Sequence, residues 1–358
     1  MKGLGLRVWL FWRKLRFLLV PVGRRVRVEL ETDGRQLTFL LVSLHALGYA
    51  VHVVGSSIVF RDLLALRRST QIPFSIGRPP RPCGLAICDT EAALARGQEP
   101  RKVLLSYDFF NLDLTAVKMP YFMHPKVYQN GWHHLPVPDP DSLRPVRIGF
   151  FGSRDADFYT RHFHFPMLDR EQILTTFLDE FSDRIWTVDA QVASWGKHGI
   201  AVAIDGKGGD DGHKSFLPLP DYLQALRKCD FFLTPPGWCM PLSHNLIEGT
   251  TAGCIPILNC QKFMYPALED GVNCLSFNDA NSLVTALEAA LVMSSENIET
   301  MRGNVVAYSE KHLTPEGWLD RALADHTGPR TILVNAEEIS TGMRLQGCRQ
   351  LMSGAFPS

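Results

Sequence analysis

Several patterns that assign proteins to common classes are missing from this sequence. Its 8 cysteines form no CxxC pair and no CxxC…CxxC frame, so we expect no zinc site and reduced thiols, as in a cytoplasmic protein. The 37 basic residues are balanced by 37 acidic ones, so the net charge gives no reason to expect nucleic acid as a partner. There is also no internal repeat and no low-complexity run, and the composition is that of a globular protein.

The chain also lacks a long uncharged apolar run, since none approaches the ~20 residues that a transmembrane helix needs. Its first 25 residues instead mix basic and aromatic side chains, and no acidic residue precedes Glu29. A signal peptide would place its positive charges before the apolar core rather than through it. We therefore expect residues 1–25 to contact an anionic membrane surface or, alternatively, to form a helix packed on the N-terminal domain. The first alternative predicts a cytoplasmic protein that is peripheral on the inner face of the membrane.

The length of 358 residues predicts about two domains. From Val26 onward, apolar runs typical of strands alternate with helical patterns, which predicts doubly wound parallel sheets of the α/β class. Four prolines between positions 135 and 145 predict a linker. The predicted divisions are a basic segment at 1–25, an N-terminal domain at 26–140, a C-terminal domain at 146–328 and a tail at 329–358. One interpretation of the tail is that it crosses back onto the first domain.

The most informative stretch for chemistry runs from Asp221 to Phe277. Residues Phe231 to Leu233 form a short apolar run that ends at Pro235-Pro236-Gly237, which predicts a buried strand followed by a loop. Ser243 is a candidate cap for the next helix, and Gly253 stands where that helix would stop.

The helix after this loop has the features of a phosphate-binding element. A helix that begins at the carboxyl end of a parallel strand directs its free N–H groups and the positive end of its dipole into the crevice, where they attract phosphate. Ser243, His244 and Asn245 add side-chain donors at the same end. Glu248 lies too far along the helix to cap it, but its carboxylate can accept both hydroxyls of a ribose; a solvated surface position is the alternative. Together these residues predict a nucleotide-sugar site.

Residues Tyr222 to Leu258 carry a family resemblance. The segments Phe-Phe-Leu-Thr-Pro-Pro-Gly, Ser-His-Asn-Leu-Ile-Glu-Gly and Ala-Gly-Cys-Ile-Pro-Ile resemble the donor-binding segment of exostosin-like glycosyltransferases and of related bacterial surface-polysaccharide glycosyltransferases. The resemblance implies the GT-B fold, in which two Rossmann-like domains face a cleft and the C-terminal domain holds the nucleotide. It also implies a metal-independent glycosyltransferase that uses no cofactor.

Further candidates for donor binding follow the first strand of the second domain. Arg154 comes directly after Gly152 and Ser153, where it could neutralise a leaving diphosphate; a surface arginine after a glycine turn is the alternative. Arg161 and Arg170 are weaker candidates for the same role. The full set of predicted donor-binding residues is Gly152, Ser153, Arg154, Pro236, Gly237, Ser243, His244, Asn245 and Glu248.

One short motif suggests a metal but is a weak signal. Asp155-Ala156-Asp157 matches the DxD motif of metal-dependent GT-A transferases. So short a pattern recurs by chance, and GT-A metal sites belong to a different fold. We therefore expect no metal ligand here.

The catalytic base is expected in the N-terminal domain, since the resemblance places it across the cleft from the nucleotide. Sugar transfer with inversion needs a carboxylate or histidine to deprotonate the acceptor hydroxyl. Asp33 follows the first predicted strand, Asp108 follows the strand that ends at Ser106, and His124 lies in the stretch after it. Asp33 is the first candidate, and Asp108 and His124 are the alternatives.

The sequence thus predicts transfer of a sugar from a nucleotide-sugar donor to a glycan or lipid-linked saccharide acceptor, in surface polysaccharide synthesis. Two other classes remain open. A nucleotide-sugar epimerase of GT-B architecture would bind the same donor and need no acceptor. A non-catalytic subunit would keep the nucleotide site and lend it to a membrane synthase complex.

Overall fold

The computed structural model divides the chain into two compact units. The first unit contains residues 1–134 and 314–358, and the second contains residues 135–313. The domain boundaries predicted from the sequence, at 26–140 and 146–328, remain a prediction. The residues that the structure describes are 17–32, 36–55, 74–77, 82–111, 116–134, 144–188, 195, 199–205, 217–324 and 330–353.

The first unit alternates strands and helices, and the chain leaves it and later returns. Its strands are β1 (Arg25–Leu30), β2 (Ala50–Gly55), β3 (Phe74–Ile76), β4 (Leu85–Cys88), β5 (Arg101–Ser106), β6 (Val117–Lys118) and β13 (Arg330–Leu333). Its helices are α1 (Gln36–Ala46), α2 (Glu91–Arg96), α3 (Pro125–Gln129), α10 (Pro315–Leu323) and α11 (Glu338–Ser353).

These strands form one parallel sheet in the order β3-β2-β1-β4-β5-β13-β6. The connections from β1 and from β4 run in opposite directions along the sheet, and right-handed crossovers then place helices on both faces. Strand β13 lies between β5 and β6 and is parallel to both. The returning segment is therefore an internal part of this sheet.

Helix α1 is the central helix of the first unit. Its residues are almost all buried, which fits its continuous apolar sequence. The returning helix α10 packs against it: the Trp318 ring stacks on Phe39 with ring centroids 5.7 Å apart, and the Trp318 indole N–H donates to Ser43 at 2.9 Å. This helix was not predicted from the sequence.

The second unit has the same alternating pattern. Its strands are β7 (Val146–Ser153), β8 (Ile185–Thr187), β9 (Ile200–Asp205), β10 (Cys229–Leu233), β11 (Ile255–Leu258) and β12 (Leu275–Ser276). Its helices are α4 (Ala156–His162), α5 (Arg170–Phe181), α6 (Leu219–Leu226), α7 (His244–Thr251), α8 (Ala280–Val292) and α9 (Ser295–His312).

The second sheet is also parallel, in the order β12-β11-β10-β7-β9-β8. Its core joins strand residues such as Ile148 and Phe231 to helix residues such as Phe177 and Leu287, all fully buried. The predicted α/β class with doubly wound parallel sheets is confirmed for both units. Among the residues that the structure describes, no helix is both long and apolar enough to cross a lipid bilayer.

Candidate functional site

The second sheet has a topological switch point between β7 and β10. The chain leaves β7 toward β9 and β8, whereas it leaves β10 toward β11 and β12. Because the two connections diverge, a crevice opens outside the carboxyl ends of these strands, and open α/β sheets bind ligands there. The predicted donor-binding residues follow these two strands.

Arg170 ties together the loops that leave the two strands. This arginine is 4% exposed, and its guanidinium donates to the carbonyl oxygens of Pro236 at 3.0 Å, Ser153 at 3.3 Å and Pro235 at 3.4 Å. It also lies over the Tyr159 ring, 4.6 Å from the centroid. We infer that Arg170 holds the two sides of the switch point in register, although the sequence ranked it below Arg154. The signal that marks its place is the capping pair Asp169 and Gln172, which begins α5.

Helix α7 begins at the switch point without a side-chain cap. Ser243 occupies the N-cap position, but within the described chain it makes no capping hydrogen bond, because its hydroxyl donates to the Pro235 carbonyl at 3.3 Å. Ser243 therefore occupies the predicted N-cap position, but its side chain does not make the predicted capping hydrogen bond. Asn245 donates its side-chain amide to the Phe151 carbonyl at 2.8 Å, which fixes the helix start against the end of β7. His244 is half-buried beside it.

Glu248 points into the protein rather than into solvent. Its side chain lies one turn along α7 and the residue is 4% exposed, so the solvated alternative is excluded. Its neighbour is Tyr222 of α6, a residue that is 9% exposed. Burial raises the pKa of the Tyr222 phenol well above its usual range, and the nearby Glu248 carboxylate raises it further. Sequence reasoning did not single out Tyr222 as a site residue.

The Tyr222 hydroxyl lies beside the Glu248 carboxylate, which is its hydrogen-bonding neighbour. Both residues are buried, so this pair is shielded from bulk solvent. The carboxylate and the phenol together therefore provide an acceptor and a donor behind the start of α7.

Two glycines allow close packing of the backbone at the carboxyl edge of the second sheet. A Cβ atom on Gly237 would lie 2.5 Å from the Leu242 carbonyl oxygen, so the loop between β10 and α7 can close only with glycine there. A Cβ atom on Gly249 would lie 3.1 Å from the Phe232 ring, so this glycine lets α7 approach β10 closely. The predicted role of Gly237 as a loop residue thus has a steric reason.

Arg154 and Ser153 are engaged with the protein. The Arg154 guanidinium pairs with the Glu171 carboxylate, with Nη2 to Oε1 at 2.6 Å and Nε to Oε2 at 3.0 Å. Ser153 Oγ lies 2.6 Å from the Tyr159 hydroxyl oxygen. Strand β7 runs through Ser153, so Gly152 and Ser153 are its last residues, whereas the sequence predicted that they follow the strand. Their contact with a donor remains a prediction.

The Asp155-Ala156-Asp157 motif has a structural role. The Asp155 carboxylate accepts a hydrogen bond from the Phe158 backbone N–H at 3.1 Å and so caps α4. Within the described ranges, no group of three or more His, Cys, Asp and Glu side chains could hold a metal ion. Whether the reaction is metal-independent remains a prediction.

An aromatic cluster borders the same loop. The Trp238 ring stacks on Phe158 of α4 with ring centroids 5.2 Å apart, and His162 meets Trp238 edge-on at 5.4 Å. Phe158 is 43% exposed. The loop after β10 therefore packs through Trp238 on α4, where Phe158 stays partly exposed.

The three predicted catalytic residues belong to the first unit. Asp33 lies outside the described residues. Asp108 follows β5 and is half-buried. Its carboxylate accepts a hydrogen bond from the Asn111 side-chain amide at 3.0 Å. His124 caps α3, and its Nδ1 accepts from the Lys126 backbone N–H at 3.2 Å. His124 thus has a capping role that the sequence did not predict.

The first unit has a switch point of its own, between β1 and β4. Asp89 follows β4, and its carboxylate accepts from the backbone N–H groups of Glu31 at 2.9 Å and Thr32 at 2.8 Å and from the Tyr107 hydroxyl at 3.1 Å. Burial raises the pKa of Tyr107, and Asp89 adds to the effect. Beside these groups lies a small pocket whose lining includes Leu37, Thr32 and Tyr107. Sequence reasoning missed Asp89, although its place directly after a buried strand could have identified it.

Comparisons with known proteins find similarity only at the level of structure. No protein-family model matches the sequence, and a search of curated proteins finds no match. The fold is similar to that of HepE from Anabaena in complex with UDP and glucose, with a TM-score of 0.44, 12% identity and coverage of 81% of this chain and 96% of that one.

Two other solved structures are similar in the same range. A glycosyltransferase from Rickettsia africae aligns with a TM-score of 0.46 and 9% identity, covering 93% of this chain and 100% of that one. A family 9 glycosyl transferase from Veillonella parvula aligns with a TM-score of 0.33 and 10% identity, covering 81% of this chain and 99% of that one. Since these TM-scores are below 0.5, function must be argued from the residues of this chain.

Proposed function

We propose that this protein is a glycosyltransferase that moves a sugar from a nucleotide-sugar donor to a glycan or lipid-linked saccharide acceptor. The observation that carries the proposal is the start of α7 at the switch point of the second sheet, with the buried carboxylate of Glu248 one turn behind it. A helix start attracts phosphate, and a carboxylate accepts ribose hydroxyls. The diphosphate and the ribose of a nucleoside diphosphate therefore each have a complementary group at the carboxyl edge of the second sheet.

The diphosphate is expected to bind at the first turn of α7. Ser243 leaves the N–H groups of this turn without a side-chain cap, since its hydroxyl is turned to Pro235. The adjacent helices differ, because Asp155 caps α4 and Asp169 caps α5 with carboxylates that would repel an anion. The start of α7 is therefore the favourable place for negative charge at this edge.

The ribose is expected at Glu248. A carboxylate has lone pairs enough to accept hydrogen bonds from both ribose hydroxyls, and Glu248 lies one turn behind the expected diphosphate position. The Tyr222 phenol beside it can donate to the carboxylate or to the ligand. The remaining donor-binding residues of the proposal are Gly152, Ser153, Arg154, Pro236, Gly237, His244 and Asn245.

The acceptor side of the reaction is proposed for the first unit. A carboxylate or histidine there would remove the proton from the acceptor hydroxyl as the sugar transfers, and Asp33, Asp108 and His124 are the candidates. We further propose a cytoplasmic protein acting in surface polysaccharide synthesis, without a metal ion, with residues 1–25 against the inner face of the membrane. This location would suit a lipid-linked acceptor.

The test is a thermal-shift titration against UDP, GDP, CDP, CMP and ADP. A nucleotide at 100 times its Kd stabilises the folded protein by about 2.7 kcal/mol, or about 5 to 10 °C for a unit of this size. We expect one nucleoside diphosphate to raise the melting temperature of the wild type by this amount. Most of that rise should be absent in Glu248→Gln. Glu288→Gln is the matched control, because Glu288 is exposed on α8.

The result that would contradict the proposal is a lack of stabilisation by every nucleotide at millimolar concentration. Equal stabilisation of the wild type and Glu248→Gln would remove the ribose role of Glu248 while leaving a nucleotide site in place. Product analysis then uses a nucleotide sugar that contains the stabilising nucleotide. Sugar transfer needs an acceptor, whereas isomerisation of the nucleotide sugar proceeds without one.

A further inference from the structure

A small apolar surface lies just before the first strand of the first unit. Leu18 is 44% exposed, Leu19 is 77% exposed and Val22 is 40% exposed. We name residues 18–22 the leucine turn. Large apolar side chains exposed this close together in the sequence mark a contact surface more often than isolated exposed ones do.

The leucine turn is held in place by the protein. The Arg25 guanidinium donates to the backbone carbonyls of Leu18 and Val20, each at 2.7 Å, and it lies over the Phe17 ring at 5.8 Å. Phe17 itself is 3% exposed and meets the His52 ring edge-on at 5.7 Å. One buried neighbour and one arginine therefore fix the backbone of the turn while the leucine side chains face solvent.

The far end of the turn is anchored as well. The Arg24 guanidinium donates to the Leu47 carbonyl at 2.7 Å and lies 5.2 Å from the centroid of the Tyr49 ring. A Cβ atom on Gly84 would lie 2.7 Å from the backbone of Gly23, so the chain before β4 packs directly under this turn. Because the turn is anchored at both ends, little conformational entropy would be lost when it enters an interface.

The sequence on either side of the leucine turn carries charge of one sign. The first 28 residues contain basic side chains and no acidic one, since Glu29 is the first acidic residue. The basic residues that can contribute are Lys2, Arg7, Arg13, Lys14, Arg16, Arg24 and Arg25. Arg27 is excluded because it is buried and paired with Glu29 and Glu99. Exposed leucines flanked by basic residues fit the boundary between anionic headgroups and acyl chains, where the leucines enter the apolar layer and the cations meet phosphate.

We propose that the leucine turn inserts into an anionic bilayer surface and anchors the first unit there. The proposal goes beyond sugar transfer, because binding to vesicles needs neither donor nor acceptor. It also narrows the expectation for residues 1–25, since it assigns the apolar part of the contact to Leu18, Leu19 and Val22. Electrostatic attraction by the preceding basic residues supplies the rest.

The experiment is co-sedimentation of the full chain with vesicles of phosphatidylglycerol and phosphatidylcholine, compared with vesicles of phosphatidylcholine alone. We expect binding to the anionic vesicles that weakens as salt is raised. The double variant Leu18→Gln/Leu19→Gln should bind at least tenfold more weakly, because burying a leucine side chain accounts for roughly a tenfold change or more. Val292→Gln is the matched control, since Val292 is 83% exposed on α8 of the second unit, and it should bind like the wild type.

Two outcomes would overturn the proposal. Equal binding of the double variant and the wild type would show that the leucine turn does not enter the bilayer. A dimer in solution that the double variant abolishes would show that a second copy of the chain covers these leucines instead. Nucleotide stabilisation of the double variant should equal that of the wild type. Failure of vesicle binding would therefore count against the proposed membrane contact and leave the proposed sugar transfer untouched.

Discussion

Replacing Arg170 with methionine should loosen the switch point of the second sheet. The guanidinium binds three backbone carbonyls, those of Ser153, Pro235 and Pro236, at 3.3, 3.4 and 3.0 Å. Methionine keeps most of the aliphatic stem but donates no hydrogen bond. The loops after β7 and β10 would then lose the side chain that joins them.

The expected loss of stability can be worked out from these contacts. Leaving a buried carbonyl oxygen without a donor costs about 1 kcal/mol at the low end. The Pro235 carbonyl keeps its hydrogen bond from Ser243, so the carbonyls of Ser153 and Pro236 together give about 2 kcal/mol. Loss of the contact with Tyr159 adds to this, while removal of a buried charge offsets part of it. The guanidinium is weakly hydrated, so the carbonyl cost should dominate. A change of about 2 kcal/mol corresponds to a melting temperature lower by about 4 to 8 °C for a unit of this size.

The assay is thermal unfolding of the wild type, Arg170→Met and Arg170→Lys, each with and without the stabilising nucleotide. Lysine keeps the charge but not the fork of donors, so its melting temperature should fall between the other two. Arg161→Met is the control, because Arg161 is exposed on α4, and it should change the melting temperature by less than about 2 °C. A melting temperature for Arg170→Met within 2 °C of the wild type would refute the role given to this arginine.

Two further predictions concern the second unit. Gly237→Ala should weaken nucleotide binding at least tenfold in the same titration, because its Cβ would lie 2.5 Å from the Leu242 carbonyl oxygen and displace the loop before α7; unchanged affinity would contradict this. Burial raises the pKa of Cys254 to about 11 and of Cys260 and Cys274 to about 12. The same thiols ionise near pH 8.5 in the unfolded chain. Each buried thiol therefore contributes its full stabilisation below pH 8.5, and this contribution is lost as the pH rises toward 11 to 12. Urea unfolding should show a loss of up to about 1.4 kcal/mol per pH unit for each thiol, and Cys260→Ala should reduce that slope.

Local sequence patterns predicted most of the elements in the second unit. The apolar run from Phe231 to Leu233 lies in the buried strand β10, and helix α7 begins directly after Ser243, as predicted. These predictions succeed because strand and helix periodicity is set by side chains close together in the chain. Helix α10 was missed although it has local start signals, since Thr314 caps it and Pro315 is its first residue.

Contacts at the candidate site were less predictable. The position of Ser243 at a helix start follows from its neighbours, but its bond to Pro235 depends on how the loop folds back. Its position after the first strand of the second domain made Arg154 the favoured cation, yet Glu171 on α5 pairs with it. Arg170 instead joins the two loops at the switch point. A side chain's partner depends on distances between distant segments, which local patterns do not contain.

The sequence by itself determined the α/β class, the parallel strands and the helix that begins after Pro235-Pro236-Gly237, because propensity, capping and hydrophobic period act over a few residues. The tertiary structure decided that residues 330–333 enter the first sheet, that Arg170 joins the two loops and that Tyr222 lies beside Glu248. These features depend on long-range packing of buried groups, whose hydrogen bonds and charges must be satisfied once water is excluded.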